Sequence, residues 1–202
     1  MNRQLAYAVV ADGETDRLLV PVIQWAVHRL DPGVEILEPE FRKRRGSVAE
    51  YLAEYQTGAM LIFAHRDAET LTLEARLEEF AAVDRGDVIP VVPVRMSESW
   101  LLCEGAAIAK AAGSPSSRVP VPAVAQIESI ADPKDRLDDL LFEAAGAPAG
   151  RRGKSFRRSI AQRRVSVAEY ISDYSPLENL PAFRRFQDEL AERYPYRNLL
   201  DA

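Results

Sequence analysis

Apolar residues in the first half of the chain fall into continuous runs separated by stretches of helical spacing. Leu5 to Ala11 is apolar throughout and stops at Asp12-Gly13, and Ala59 to Ala64 is a second such run. Short apolar runs closed by turn signals predict strands buried on both faces. Val88 to Val94 is a third run, interrupted by Pro90 and Pro93. Proline cannot donate to a ladder, so this run predicts an edge strand or an irregular one. Val34 to Leu37 is a short strand candidate. Between the runs, residues 15–30 place Leu18, Leu19, Val22, Trp25 and Ala26 on one helical side, with Pro21 predicting a kink or a late start. Ser47-Val48-Ala49-Glu50 is a capping box opening a helix through Tyr55, and Thr70 to Ala82 repeats Leu71, Leu73, Leu77 and Phe80 at helical spacing.

Strands alternating with helices across long crossovers predict an α/β fold, a parallel sheet flanked by helices, over residues 1–112. The pattern then changes. Ser97 to Ala112 reads as helical, residues 113–122 as a proline- and serine-rich loop, and residues 133–145, 155–173 and 180–193 as further helices. Residues 113–202 are therefore expected to form a helical C-terminal extension packed on the sheet. One echo crosses the two parts: Ser47-Val-Ala-Glu-Tyr51 recurs as Ser166-Val-Ala-Glu-Tyr170, each after an arginine pair, and both read as capping boxes at helix starts suited to anions.

Composition narrows the chemistry. Two histidines and a single cysteine, Cys103, cannot build a zinc site of the usual kind or an internal disulfide. Cys103 sits in an apolar run and reads as a structural thiol. A metal would be held by carboxylates, which points to Mg2+ or Mn2+. Acidic residues follow the initial methionine too soon for a secretory leader, and no apolar run is long enough to cross a bilayer, so a cytoplasmic protein with no membrane contact is expected. The net charge of −5 argues against a general nucleic-acid coat, but the charge is segregated. Residues 151–164 carry seven basic side chains and no acidic one. Arg151, Arg152, Lys154, Arg157 and Arg158 are the candidate contacts to nucleic-acid phosphates, DNA or RNA, with Phe156 as a stacking residue. The alternative is a solvated helix face, or arginines paired with the chain's many acids.

In a parallel sheet, ligands bind beyond the carboxyl ends of the strands. The first strand leads into Asp12-Gly13-Glu14-Thr15-Asp16, the next strong one into His65-Arg66-Asp67-Ala68-Glu69, and the last into Arg95-Met96-Ser97-Glu98. Carboxylates gathered at one edge repel each other, and a divalent cation removes that repulsion. Asp67 and Glu69, two apart, would point the same way on an extended backbone. Each acid also has a plainer reading as a helix cap, and Glu14 and Asp16 read as first-turn helix acids. His65 reads equally as a core residue or a substrate-orienting one.

Residues 9–16, Val-Val-Ala-Asp-Gly-Glu-Thr-Asp, resemble the first motif of Toprim domains, and His65-Arg66-Asp67-Ala68-Glu69 stands where that family has Asp-x-Asp. The stretch Arg95-Met96-Ser97-Glu98-Ser99-Trp100-Leu101-Leu102 resembles an uncharacterised bacterial Toprim-like branch related to the nuclease half of the overcoming-lysogenization-defect proteins. The resemblance covers about the first 112 residues. It implies that Asp12 acts as general acid or base or joins the metal shell, that Asp67 and Glu69 hold Mg2+ or Mn2+, and that Glu98 adds a ligand. It also implies a metal-dependent nuclease working beside a separately encoded ATPase in anti-phage defence, with oligomers open; the chain has no Gly-x-x-x-x-Gly-Lys loop of its own. Asp12 is one methylene shorter, and Glu69 one longer, than the family pattern. Two other readings stay open: a non-catalytic Toprim-like interaction module, and a receiver-like domain with Asp67 as phosphoacceptor and Ser97 as switch hydroxyl.

Overall fold

The computed structural model describes residues 3–83 and 85–199. Its centre is a parallel sheet built from the apolar runs. Strand β1 (Arg3–Leu5) is followed after Ala6 by β2 (Tyr7–Ala11), so the first run is a strand with one break. Then come β3 (Val34–Ile36), β4 (Glu40–Lys43), β5 (Leu61–His65) and β6 (Val88–Val91). The four-stranded sheet has the order β4-β2-β5-β6 with every pair parallel, and β1 pairs in parallel with β3. The proline-bearing run is an edge strand, with Pro90 opposite Ala64. The other edge, β4, escaped the hydrophobicity pattern because Glu-Phe-Arg-Lys is mostly charged, a common device for blunting an exposed edge.

Strand alternation sends residues to two cores. Tyr7, Val9, Phe63 and Ile89 face one cluster; Ala8, Val10, Ile62 and Val88 face another. The second is closed by helices α2 (Val48–Glu54) and α3 (Leu73–Ala81). The first is closed by α1 (Leu19–Leu30) and by α4 (Gly105–Ala111), α5 (Pro133–Ala144), α7 (Ile160–Tyr170) and α8 (Pro181–Arg193); α6 (Gly150–Arg158) lies beside α7. The molecule is therefore an α/β fold, a parallel sheet with helices on both faces and a helical C-terminal extension, consistent with a Toprim-like arrangement. The extension shares the larger core: Trp100 is fully buried with its ring 5.1 Å from Phe183 and 6.0 Å from Phe186.

Local chemistry explains the departures. A 3-10 turn, Glu14–Leu18, precedes α1, so the helix starts late and Pro21 falls in its first turn, where no amide is needed. The predicted helix over 97–112 divides into a buried 3-10 segment, Ser97–Cys103, and α4. The predicted helix over 155–173 divides at Ser159 into α6 and α7. Ser47 does cap α2, accepting from the Glu50 amide while Glu50 reaches back to the Ser47 amide. Ser166 caps nothing: it lies inside α7, whose N-cap residue is Ser159, so the second capping box is corrected to the last turn of that helix.

Candidate active site at the carboxyl edge

Residues following four neighbouring strands meet at the carboxyl edge of the sheet. Arg44 follows β4 and donates its amide to Ala11 at 2.7 Å; Asp12 follows β2; His65 ends β5, followed by Arg66 and Asp67; Ser97 and Glu98 follow β6. Sheet order makes Asp12, Asp67 and Glu98 products of consecutive neighbours, β2, β5 and β6.

Asp12 is held by two arginines. Arg44 donates through Nη2 to Oδ1, and Arg66 through Nη1 to Oδ2 at 3.0 Å. Arg66 also reaches Glu79 at 3.3 Å. Beside them lies a buried network. His65 Nε2 sits 2.9 Å from both Asp67 Oδ1 and Ser97 Oγ, and Ser97 Oγ donates to Asp67 Oδ1 at 3.0 Å. On the other side of the ring, Nδ1 is 3.6 Å from Asp16 Oδ2, an ion pair too long to be a hydrogen bond. Asp16 also accepts the Gly13 amide at 2.8 Å.

The electrostatics follow from this placement. Complete burial opposes charge on His65, but Asp16 and Asp67 outweigh it and raise its pKa to about 10. His65 is therefore an imidazolium at neutral pH. Burial would raise the Asp16 carboxyl, yet His65 and the local amides hold it below the usual carboxylate value. Glu98 is pushed upward, first by burial and then by the charge of Asp67; Arg164, 3.6 Å away, offsets only part of this. The Ser97–His65–Asp16 sequence of contacts looks like a nucleophile triad, but a protonated His65 has no lone pair for the serine proton, and Ser97 is buried.

Among the described residues, no group of three or more His, Cys, Asp or Glu is arranged to hold a metal ion. The four predicted ligands separate accordingly. Both oxygens of Asp12 are occupied by arginine. Glu69 has φ +55°, which breaks the extended geometry that would have aligned it with Asp67, and its exposed carboxylate lies 3.6 Å from Arg76. The strained residue is pinned to another: the Glu69 amide donates to the Arg95 carbonyl at 3.0 Å, and Arg95 has φ +66°. Asp67 and Glu98 remain. Asp67 uses only Oδ1 in the network, and Glu98 is a buried acid whose pKa stays raised despite the nearby Arg164. Of the four predicted ligands, these are the two that act on each other, the charge of Asp67 raising Glu98; two carboxylates with water and substrate phosphate are a customary donor set for Mg2+.

The predicted nucleic-acid residues are grouped on one helix, with the Arg157 guanidinium 4.4 Å over the Phe142 ring. Arg151, Arg152, Lys154, Arg157 and Arg158 are all exposed on α6 and form no ion pair among the described residues. Phe156 is corrected from a stacking residue to a core one, buried against Phe142 at 5.9 Å with Arg163 over its ring. Arg164 turns inward, with two 2.8 Å bonds to Asp138. Cys103 is half-buried, its thiol raised to about 12 by burial.

Sequence reasoning placed the edge and several of its acids but missed the partners. Arg44, Arg66 and the participation of Asp16 were not assigned. The signal for the two arginines was the basic residue following β4 and β5, legible only once both strands are known to flank β2. Comparison with known proteins adds nothing to this geometry: no family model, curated protein or solved structure matches the chain.

Proposed function

We propose that this edge processes phosphodiesters and that the chain is a Mg2+- or Mn2+-dependent nuclease, or a related phosphodiester-cleaving enzyme of Toprim type. The carrying observation is that Asp12, Asp67 and Glu98 follow three adjacent parallel strands, with Arg44 and Arg66 both bound to Asp12. Bound metal would supply an activated water and stabilise charge on the leaving oxygen. Asp67 and Glu98 would hold it. The His65–Ser97 network fixes one oxygen of Asp67 and leaves the other to face a ligand. Arg44 and Arg66 orient Asp12 and supply positive charge where a phosphate would approach. The exposed cations of α6 would bind the strand, DNA or RNA. No helix among the described residues is long and apolar enough to cross a membrane, and a cytoplasmic setting follows from the proposed substrate. Work beside a separately encoded ATPase in anti-phage defence belongs to the same reading and rests on the Toprim resemblance alone.

The test is cleavage of labelled DNA and RNA by purified protein in Mn2+ or Mg2+. Asp67→Ala and Glu98→Gln should abolish it, about a hundredfold loss or more, whereas Glu69→Gln should retain it. Loss in Glu69→Gln, or no cleavage by wild type with either metal, defeats the proposal. One observation favours a second reading, the non-catalytic module: Asp12, Asp16 and Asp67 already have cations of the protein itself as partners. Nucleic-acid binding without cleavage, unchanged in Asp67→Ala, would select it.

A further inference from the structure

A separate cavity of about 350 Å3 lies beside α6, lined by none of the residues of the acidic edge. Its polar lining comes from Ser114, Arg152, Ser155, Ser159 and Arg163, and no carboxylate borders it. In a chain of net charge −5 that is a marked local excess of positive charge. The walls are built for close approach. A Cβ on Gly153 would come within 2.2 Å of the Pro148 carbonyl, so only glycine lets the segment before α6 fold back against the helix. On the opposite side the chain turns at Gly113, with φ +83°, beneath Ser114.

The donors are of two kinds. Arg163 is fixed: Nε donates to Ser159 at 3.1 Å, Nη1 to the Ala111 carbonyl, and the guanidinium lies 4.2 Å over the Phe156 ring. Its Nη2 is left over. Arg152, Ser114 and Ser155 make no side-chain hydrogen bond among the described residues. A fixed guanidinium beside unengaged hydroxyls and a second arginine is suited to a tetrahedral oxyanion, because little side-chain order remains to be lost on binding.

We propose that this cavity is a phosphate-binding subsite that seats one phosphate of a polynucleotide strand lying along α6. It deepens the phosphodiester reading and rests on it for the identity of the ligand. Ser114, Arg152 and Arg163 are its specific contacts; the outward cations of α6 give only salt-sensitive attraction.

The test is fluorescence anisotropy of a labelled single-stranded oligonucleotide with the full-length protein in EDTA, with inorganic phosphate as competitor. Without metal, binding is read apart from cleavage, so this proposal and the nuclease reading fail separately. The triple variant Ser114→Ala, Arg152→Gln, Ser155→Ala removes groups that support no fold contact. It should weaken binding by roughly tenfold and abolish competition by phosphate. Arg197→Gln, an exposed cation on a different surface, should change affinity less than about twofold. Equal losses in the triple variant and Arg197→Gln, unchanged affinity in the triple variant, or wild-type binding indifferent to phosphate would each overturn the proposal.

Discussion

His65 is the residue on which the candidate site turns. Acids gathered at strand ends were expected to need a divalent ion to relieve their repulsion. Here an imidazolium between Asp16 and Asp67, and two arginines on Asp12, provide most of that relief. A raised histidine pKa stabilises the fold fully below its unfolded value of 6.5, and that contribution is lost as pH rises to about 10. Asp16 acts in the opposite sense: its depressed pKa gives stability present above 3.8 and lost in stronger acid. Urea unfolding followed across pH should therefore show stability falling by a few kcal/mol between roughly pH 6.5 and 10. His65→Gln should lose about 3–5 kcal/mol at neutral pH, because two carboxylates are left without their cation, and should flatten that alkaline fall. An unchanged alkaline slope in the variant would place the titration elsewhere.

At the scale of elements, identical local sequences have different fates. Ser-Val-Ala-Glu-Tyr opens α2 at residue 47 because Gly46, at φ +73°, breaks the preceding chain. The same five residues close α7 at 166–170 because the helix is already running from Ile160. Ser47→Ala should cost about 1 kcal/mol by loss of the cap, and Ser166→Ala less than about 0.5 kcal/mol, in thermal or urea unfolding. Equal costs would contradict the assignment. Strand identities were legible where apolar runs were unbroken, as at β2 and β5, and Pro90 revealed β6 as an edge. Strand β4 was not legible, since a charged edge strand carries no apolar run. That omission hid Arg44, and with it half of the support for Asp12. The pairing of Asp67 with Glu69 failed for a backbone reason, a left-handed residue that no side-chain pattern discloses.

For the whole molecule, the decisive feature is that the sheet and the extension bury one core. Phe63 on β5 lies 6.2 Å from Phe186 on α8, and Trp100 stacks on that ring and meets Phe183 edge-on. Phe186→Ala should cost about 3–5 kcal/mol and leave a cavity against Trp100. Residues 1–112 expressed alone should give no dispersed amide spectrum, because the larger apolar face would be bare. A well-folded fragment would show the two parts to be separable. This packing was foreshadowed by the apolar spacing of residues 133–145 and 180–193, but which face of the sheet they cover is a matter of tertiary register. Arg164 illustrates the point: counted with the basic run in sequence, it is buried between Asp138 and Glu98 and ties the extension to the carboxyl edge of the sheet.

On the proposed function, the carboxyl edge takes a divalent ion through Asp67 and Glu98 to act on phosphodiesters. Titration of Mn2+ into the full-length protein, followed by the loss of its free electron paramagnetic resonance signal, tests it most directly. The expected result is saturable binding that persists in Glu69→Gln and disappears in Asp67→Asn and in Glu98→Gln, with both variants still folded. Saturable binding that survives in both Asp67→Asn and Glu98→Gln, or no binding by the wild type with a phosphodiester oligonucleotide present, would contradict it.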